Sequence, residues 1–174
     1  PDTLDPHVTS ATSAFQHTKS LYDTLVEVGR DGSIQPLLAT DWSVSDDGLT
    51  WRFNLAEASF HDGRAFDASD VVASIERLQA DATGSPKASE YAVIEAVMAV
   101  DERTVEMQLA SPAPALLATL ASGWSAILPS EKMASDHDFA NDPVGTGAFT
   151  LERWTRDSDM RLAANPAYFL GAPN

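Results

Sequence analysis

The sequence predicts a mixed α/β fold, and three observations carry that expectation. Two stretches alternate apolar and polar residues around turn residues, and one segment repeats apolar residues at helical spacing behind an acidic cap. The elements also follow one another irregularly, which argues against a regular parallel βαβ winding. No fixed-period repeat, low-complexity segment or Gly/Ser/Pro linker interrupts the chain, so its 174 residues read as one continuous folded region able to bury a core.

Taken in order, an extended start over residues 1–6 leads into a predicted helix at 13–26, where Phe15, Leu21, Tyr22, Leu25 and Val26 recur with roughly helical spacing until Gly29 and Gly32 end it. A short apolar piece spans 34–38. Residues 42–55 predict a hairpin: Trp42 and Val44, a turn at Asp46-Asp47-Gly48, then Leu49, Trp51, Phe53 and Leu55 alternating with polar neighbours. His61-Asp62-Gly63 is a second tight turn. Asp67, with Asp70 three residues on, predicts a capped helix whose buried stripe is Val71, Val72, Ile75 and Leu78. After a loop at 81–86, residues 97–100 and 104–109 predict another hairpin. Pro112 suits the first turn of a helix to about Leu120, because its missing amide hydrogen costs nothing there. Residues 126–128 predict a short strand, and 148–154 with 160–164 two closing strands.

Composition narrows the function. Twenty-six acidic residues against eleven basic ones give a formal charge of -15, which repels phosphate backbones and anionic bilayers, and the basic residues are scattered. Nucleic acid is therefore not an expected partner. The absence of Cys removes thiolate nucleophiles, iron-sulfur ligation and Cys-type zinc sites. The apolar stretches are too short to span a bilayer, so no direct membrane insertion is expected, and the chain shows no leader, which places any export signal outside it.

His61-Asp62 is the one imidazole adjoining a carboxylate, but neighbours on an extended chain point apart, and a turn built by Asp62-Gly63 with the carboxylate on local amides is the better reading. The His at 7, 17, 61 and 137 form no HExxH or i, i+4 pair, so no metal is expected. Gly145-Thr146-Gly147 lacks the Lys of a phosphate loop and the third Gly of a dinucleotide motif, and it precedes a strand. A close backbone approach explains it better. Asp46-Asp47-Gly48 lacks the further ligands of a calcium loop. Trp42, Trp51 and Trp154 lie in strand patterns and are expected in packing, whereas Trp124, after Gly123 in a connection, is a candidate to line a pocket. The run at 9–13 offers hydroxyls and amides at a helix start, for capping or for a ligand.

The ordered string LDP, LYDTLVE, PLLATDWSVSDDGLTWRFNL, FHDGRAFDASDVVASIERL, DERTVEMQLASPAPALLATLA, DPVGTGAFTLERW and NPAYF, running from about Leu4 to Pro173, resembles the extracytoplasmic solute-binding proteins of the dipeptide, oligopeptide and nickel ABC-importer family, family 5. Two positions depart from that pattern: Leu55-Ala56-Glu57-Ala58 replaces a basic residue and Gly, and Ala148 replaces Pro. The resemblance implies a periplasmic-binding-protein type II-like, bilobal protein much longer than this chain. Residues 1–30 are then expected to start lobe one, 31–142 to form an inserted subdomain, and 143–174 to return to lobe one, with the second lobe absent. The chain reads as an N-terminal fragment whose closing strands would pair with strands it does not contain. The implied activity is non-catalytic capture of a peptide or peptide-like solute and its delivery to ABC-importer permease subunits, by a periplasmic monomer without cofactor. Cleft-lining residues carried over by the resemblance are Thr12, Ser13 and Phe15, then Ser122, Gly123 and Trp124, and Thr146. Two other readings stand beside it: an acidic hydrolase using His61 and Asp62, and a sensory or docking domain with the same fold.

Overall fold

The computed structural model describes residues 1, 3–9, 11–156 and 158–173, and the side chains of Thr12 and Ser13 lie outside what is described. Along the chain come α1 (Thr12–Thr18), β1 (Val26–Val28), β2 (Ile34–Pro36), β3 (Ala39–Val44), β4 (Thr50–Leu55) and α2 (Ala68–Gln79). Then follow α3 (Ala88–Tyr91), β5 (Ile94–Asp101), β6 (Thr104–Leu109), α4 (Leu116–Leu120), α5 (Ser130–Ala134), β7 (Phe149–Thr155) and β8 (Asp159–Ala164). The mixed α/β class expected from the sequence is what the chain adopts.

The two alternating stretches become one four-stranded antiparallel sheet in the order β3-β4-β6-β5. Its register sets Trp42 opposite Phe53 and Phe53 opposite Val105, with Trp51 opposite Met107 in the adjoining row. Side chains alternate across a strand, so these residues share one face. α2 packs on it across β5 and β6, and Phe53, Val71, Ile75, Leu78, Val105 and Met107 are fully buried between them. The helix begins where the sequence places it: Ser69 N donates to Asp67 Oδ1 at 2.8 Å and Asp67 N donates to Asp70 Oδ2 at 3.0 Å, a reciprocal capping box. Asp70 is itself buried and is matched by Arg64 at 2.8 Å and by the Ser130 amide at 2.8 Å, which ties the start of α2 to α5.

Four expectations need correction, one of them the helix from Pro112: α4 begins only at Leu116, and Pro112 lies outside it. The first helix is shorter than its pattern suggested: it stops at Thr18, and Val26 belongs to β1. The spacing of Leu21, Tyr22 and Leu25 arises because an irregular segment buries them, with its backbone committed elsewhere: Leu21 O accepts from Gly147 N, Asp23 O from Ile127 N, and Leu25 O from Ala39 N. Residues 126–128 form no strand, since the Leu128 amide bonds to Ser74 Oγ at 2.9 Å instead of to a ladder. Finally, β7 and β8 pair antiparallel with each other, Phe149 opposite Ala164 and Thr155 opposite Asp159. Each closing strand finds its partner within the chain.

Candidate functional site

The irregular segment after α1 is the hub of the site. Leu21 and Tyr22 turn into a small apolar cluster with Ala126, Leu128 and Phe139, separate from the core under the sheet. On the other side of this backbone runs Gly145-Thr146-Gly147. Gly147 N donates to Leu21 O at 3.0 Å and Phe149 N to Ser20 O at 3.0 Å, so the two segments lie against each other. A Cβ on Gly145 would collide with the Leu21 carbonyl oxygen, and one on Gly147 would come within 2.5 Å of Ser20 O. The glycines are there for close backbone approach.

That approach delivers Thr146, fully buried, to Asp23. Its hydroxyl donates to Asp23 Oδ2 at 2.9 Å, and the Tyr168 hydroxyl donates to Oδ1 at 3.3 Å. Burial opposes ionisation of Asp23 and pushes its pKa up to about 6, although both hydroxyls favour the charged form. Burial and the neighbouring Asp23 in turn push the Tyr168 phenol well above its ordinary value. Residues distant in sequence, 23, 146 and 168, thus form one polar knot.

The knot borders an open-mouthed cavity of about 510 Å³. Phe15, Tyr22, Asp23, Thr24, Gly123 and Tyr168 line it, Leu37 and Leu170 add apolar surface, and Lys19 and Glu27 supply charge of both signs. A mostly apolar concavity with a few fixed polar groups suits a small organic solute.

Of the residues singled out in the sequence, Phe15 and Gly123 lie on the cavity wall. A side chain on Gly123 would strike the Phe15 ring, so the glycine lets the ring lie flush. Trp124 stands behind them, its ring edge-on to Phe15 at 4.2 Å and its Nε1 donating to Thr9 O at 2.8 Å. The Lys87 ammonium lies over its ring at 4.6 Å. Ser122 turns its hydroxyl into buried space beside Tyr91, and Thr146 reaches the cavity through Asp23. The side chains of Thr12 and Ser13 lie outside the described residues. Sequence reasoning missed Asp23 and Tyr168. The available signals were an acid inside the apolar run at 21–26 and the Tyr of the quoted NPAYF motif.

His61 and Asp62 do not form a dyad. Asp62 Oδ1 accepts from the Arg64 amide at 3.2 Å within a turn where Gly63 has φ +87°. His61 Nε2 instead meets Gly147 O at 3.0 Å. Among the described residues no helix is long and apolar enough to cross a membrane.

The family model for bacterial extracellular solute-binding proteins, family 5 (middle), matches residues 33–174. Di/tripeptide-binding protein 2 of Pseudomonas aeruginosa is 32% identical over 199 aligned residues, covering 99% of this chain and 37% of its own length. The periplasmic binding protein AgaA of Agrobacterium tumefaciens R10, solved with agropinic acid, gives a TM-score of 0.92 at 34% identity over 97% of this chain and 35% of its own. DppA of Helicobacter pylori, solved with the peptide STSA, gives a TM-score of 0.85 at 30% identity over 96% of this chain and 38% of its own. The chain spans somewhat over a third of the length of these relatives.

Proposed function

The chain belongs to the bacterial extracellular solute-binding proteins, family 5, and on that premise we propose that it supplies one wall of a cleft that captures a peptide or peptide-like small solute and delivers it to ABC-importer permease subunits. The observation that carries this reading is the cavity beside Asp23, walled by residues drawn from the start, middle and end of the chain and open on one side. A second lobe closing over such a wall would exclude water and share the solute between aromatic surface and fixed polar groups, which needs no nucleophile or general base. The chain is then a binder and not an enzyme. The relatives' names support a peptide or another small organic solute, since one is called di/tripeptide-binding and the others were solved with a peptide and with agropinic acid.

In this reading residues 1–30 begin lobe one, 31–142 form an inserted subdomain and 143–174 return to lobe one. The protein works in the periplasm as a monomer, and Phe15, Gly123 and Thr146, with Trp124 behind, belong to the solute site. Mass spectrometry of solute released from the full-length protein, followed by titration calorimetry with that solute and with defined di- and tripeptides, tests it. Micromolar binding by the full-length protein with millimolar or undetectable binding by the 174-residue chain is expected. Tight binding by the 174-residue chain alone would overturn the shared-cleft reading, and turnover of the bound solute would overturn the non-enzymatic one.

A further inference from the structure

His61 lies in the turn after Phe60, far from the cavity in sequence, and solute capture as proposed gives it no role. Its contacts are specific. The His61 backbone amide donates to Gly145 O at 2.9 Å, the Gly145 amide points at ring Nδ1 at 3.4 Å, and ring Nε2 lies 3.0 Å from Gly147 O. An amide donor beside Nδ1 and a carbonyl acceptor beside Nε2 select one form of the ring, neutral with its hydrogen on Nε2. Burial holds the ring's pKa below its ordinary value, against the pull of the adjacent Asp62 carboxylate, and so keeps the Nδ1 lone pair free to accept. One side chain therefore holds both ends of Gly145-Thr146-Gly147. Gly147 O also accepts from Asn165 Nδ2 at 3.0 Å, which fills both of its lone pairs. Thr146, caught between these anchors, has its hydroxyl on Asp23.

We propose that His61 is a positioning residue of the solute site: as the Nε2–H tautomer it grips Gly145 and Gly147 and thereby aims the Thr146 hydroxyl at the Asp23 carboxylate on the cavity wall. Only the importance of that wall for a solute rests on the proposed function. The coupling from His61 to Asp23 is a property of the chain itself and is measured without solute.

The measurement is the titration of the Asp23 carboxyl, followed by carbon NMR in the full chain with labelled Asp. A hydrogen bond to the carboxylate favours its charged form, so Thr146→Val should raise the Asp23 midpoint by about one pH unit. His61→Ala should move the midpoint in the same direction. The double variant should shift no further than Thr146→Val alone, because both changes remove the same bond. His61→Gln, whose amide nitrogen reaches the place of ring Nε2, should bring the midpoint back towards that of the unsubstituted chain. If His61→Ala does not fold, His61→Asn, whose short amide reaches only the Gly145 side, serves in its place.

A residue that merely fills space would lower the melting temperature and leave the Asp23 midpoint where it was. A folded His61→Ala or His61→Asn variant with an unchanged midpoint, or additive shifts in the double variant, would overturn the inference. Failure there leaves solute capture standing. Absence of solute binding by the unsubstituted full-length protein overturns solute capture and leaves the titration result untouched.

Discussion

The sheet that α2 covers and the knot around Asp23 are held together in opposite ways. Between the sheet and α2, Phe53, Ile75, Leu78, Val105 and Met107 are sealed from water and carry no polar atom that needs a partner. At the knot, Thr146 is fully buried and Asp23 and Asn165 nearly so, and each is held by hydrogen bonds to segments distant in sequence. The first region gains from burying apolar area, which is insensitive to direction, whereas the second gains only while several bonds keep their geometry. A binding wall needs the second kind of construction, because a solute must meet groups fixed in direction.

The comparison breaks most readily at Phe53. If the sheet region carries the bulk of the stability, Phe53→Ala should cost about 3–5 kcal/mol in denaturant unfolding, the range for truncating a sealed aromatic. Trp51→Ala should cost less, since that ring is only half-buried and its Nε1 is already buried without a partner. Equal losses at the two positions would show that the face is less ordered than its register implies.

Next in size is the charge at the knot. Asp23 has a folded-state pKa of about 6 against an ordinary 3.8, so between those values the native chain binds the proton more tightly than the unfolded chain. Its contribution therefore declines as pH rises through that window, and at pH 7 the buried carboxylate costs roughly 2–3 kcal/mol. His7 slopes the other way. It is fully buried with Nε2 on Ala126 O at 2.8 Å, and burial first, then Arg77, lowers its pKa from 6.5 to about 4. The neutral ring is the folded form, so stability is lost as pH falls through that range. Urea unfolding of Asp23→Asn should show a gain of roughly 2–3 kcal/mol at pH 7 that vanishes near pH 4. The variant should also lose stability more steeply on acidification, with the His7 contribution unopposed. A gain independent of pH would mean that Asp23 is not the strained group.

The same contrast decides what the sequence disclosed. Both hairpins of the sheet and the start of α2 were legible, because alternation, turn residues and the Asp67-Asp70 cap are local signals that agree with the tertiary result. The first helix was overdrawn since Leu21, Tyr22 and Leu25 are buried by contacts to residues near 37, 127 and 147, and burial without helical bonding mimics the helical pattern. Of the site, Gly123 and the close approach at Gly145 and Gly147 could be read locally, whereas Phe15 followed only from the family resemblance. The pairing of Asp23 with Thr146 and Tyr168 could not, because it exists only once three separate segments meet.

The smallest expected effect separates two aspartates that composition alone counts as equal. Asp67 stands at a helix start, where its carboxylate takes the Ser69 amide at 2.8 Å and Asp70 returns the bond to its own amide at 3.0 Å. Asp23 sits in the interior with two hydroxyls, which relieve only part of its desolvation. The cap stabilises because the amides at a helix start have no partner within the helix, and the carboxylate supplies one where water still reaches it. Asp67→Ala should accordingly cost about 1 kcal/mol at pH 7, opposite in sign to the gain expected from Asp23→Asn. Asp67→Asn, which keeps the accepting oxygen, should recover most of the loss. Should Asp67→Ala prove neutral, α2 would owe its start to the buried Asp70–Arg64 pair and the sheet beneath it, and the local cap would be a signal the fold does not need.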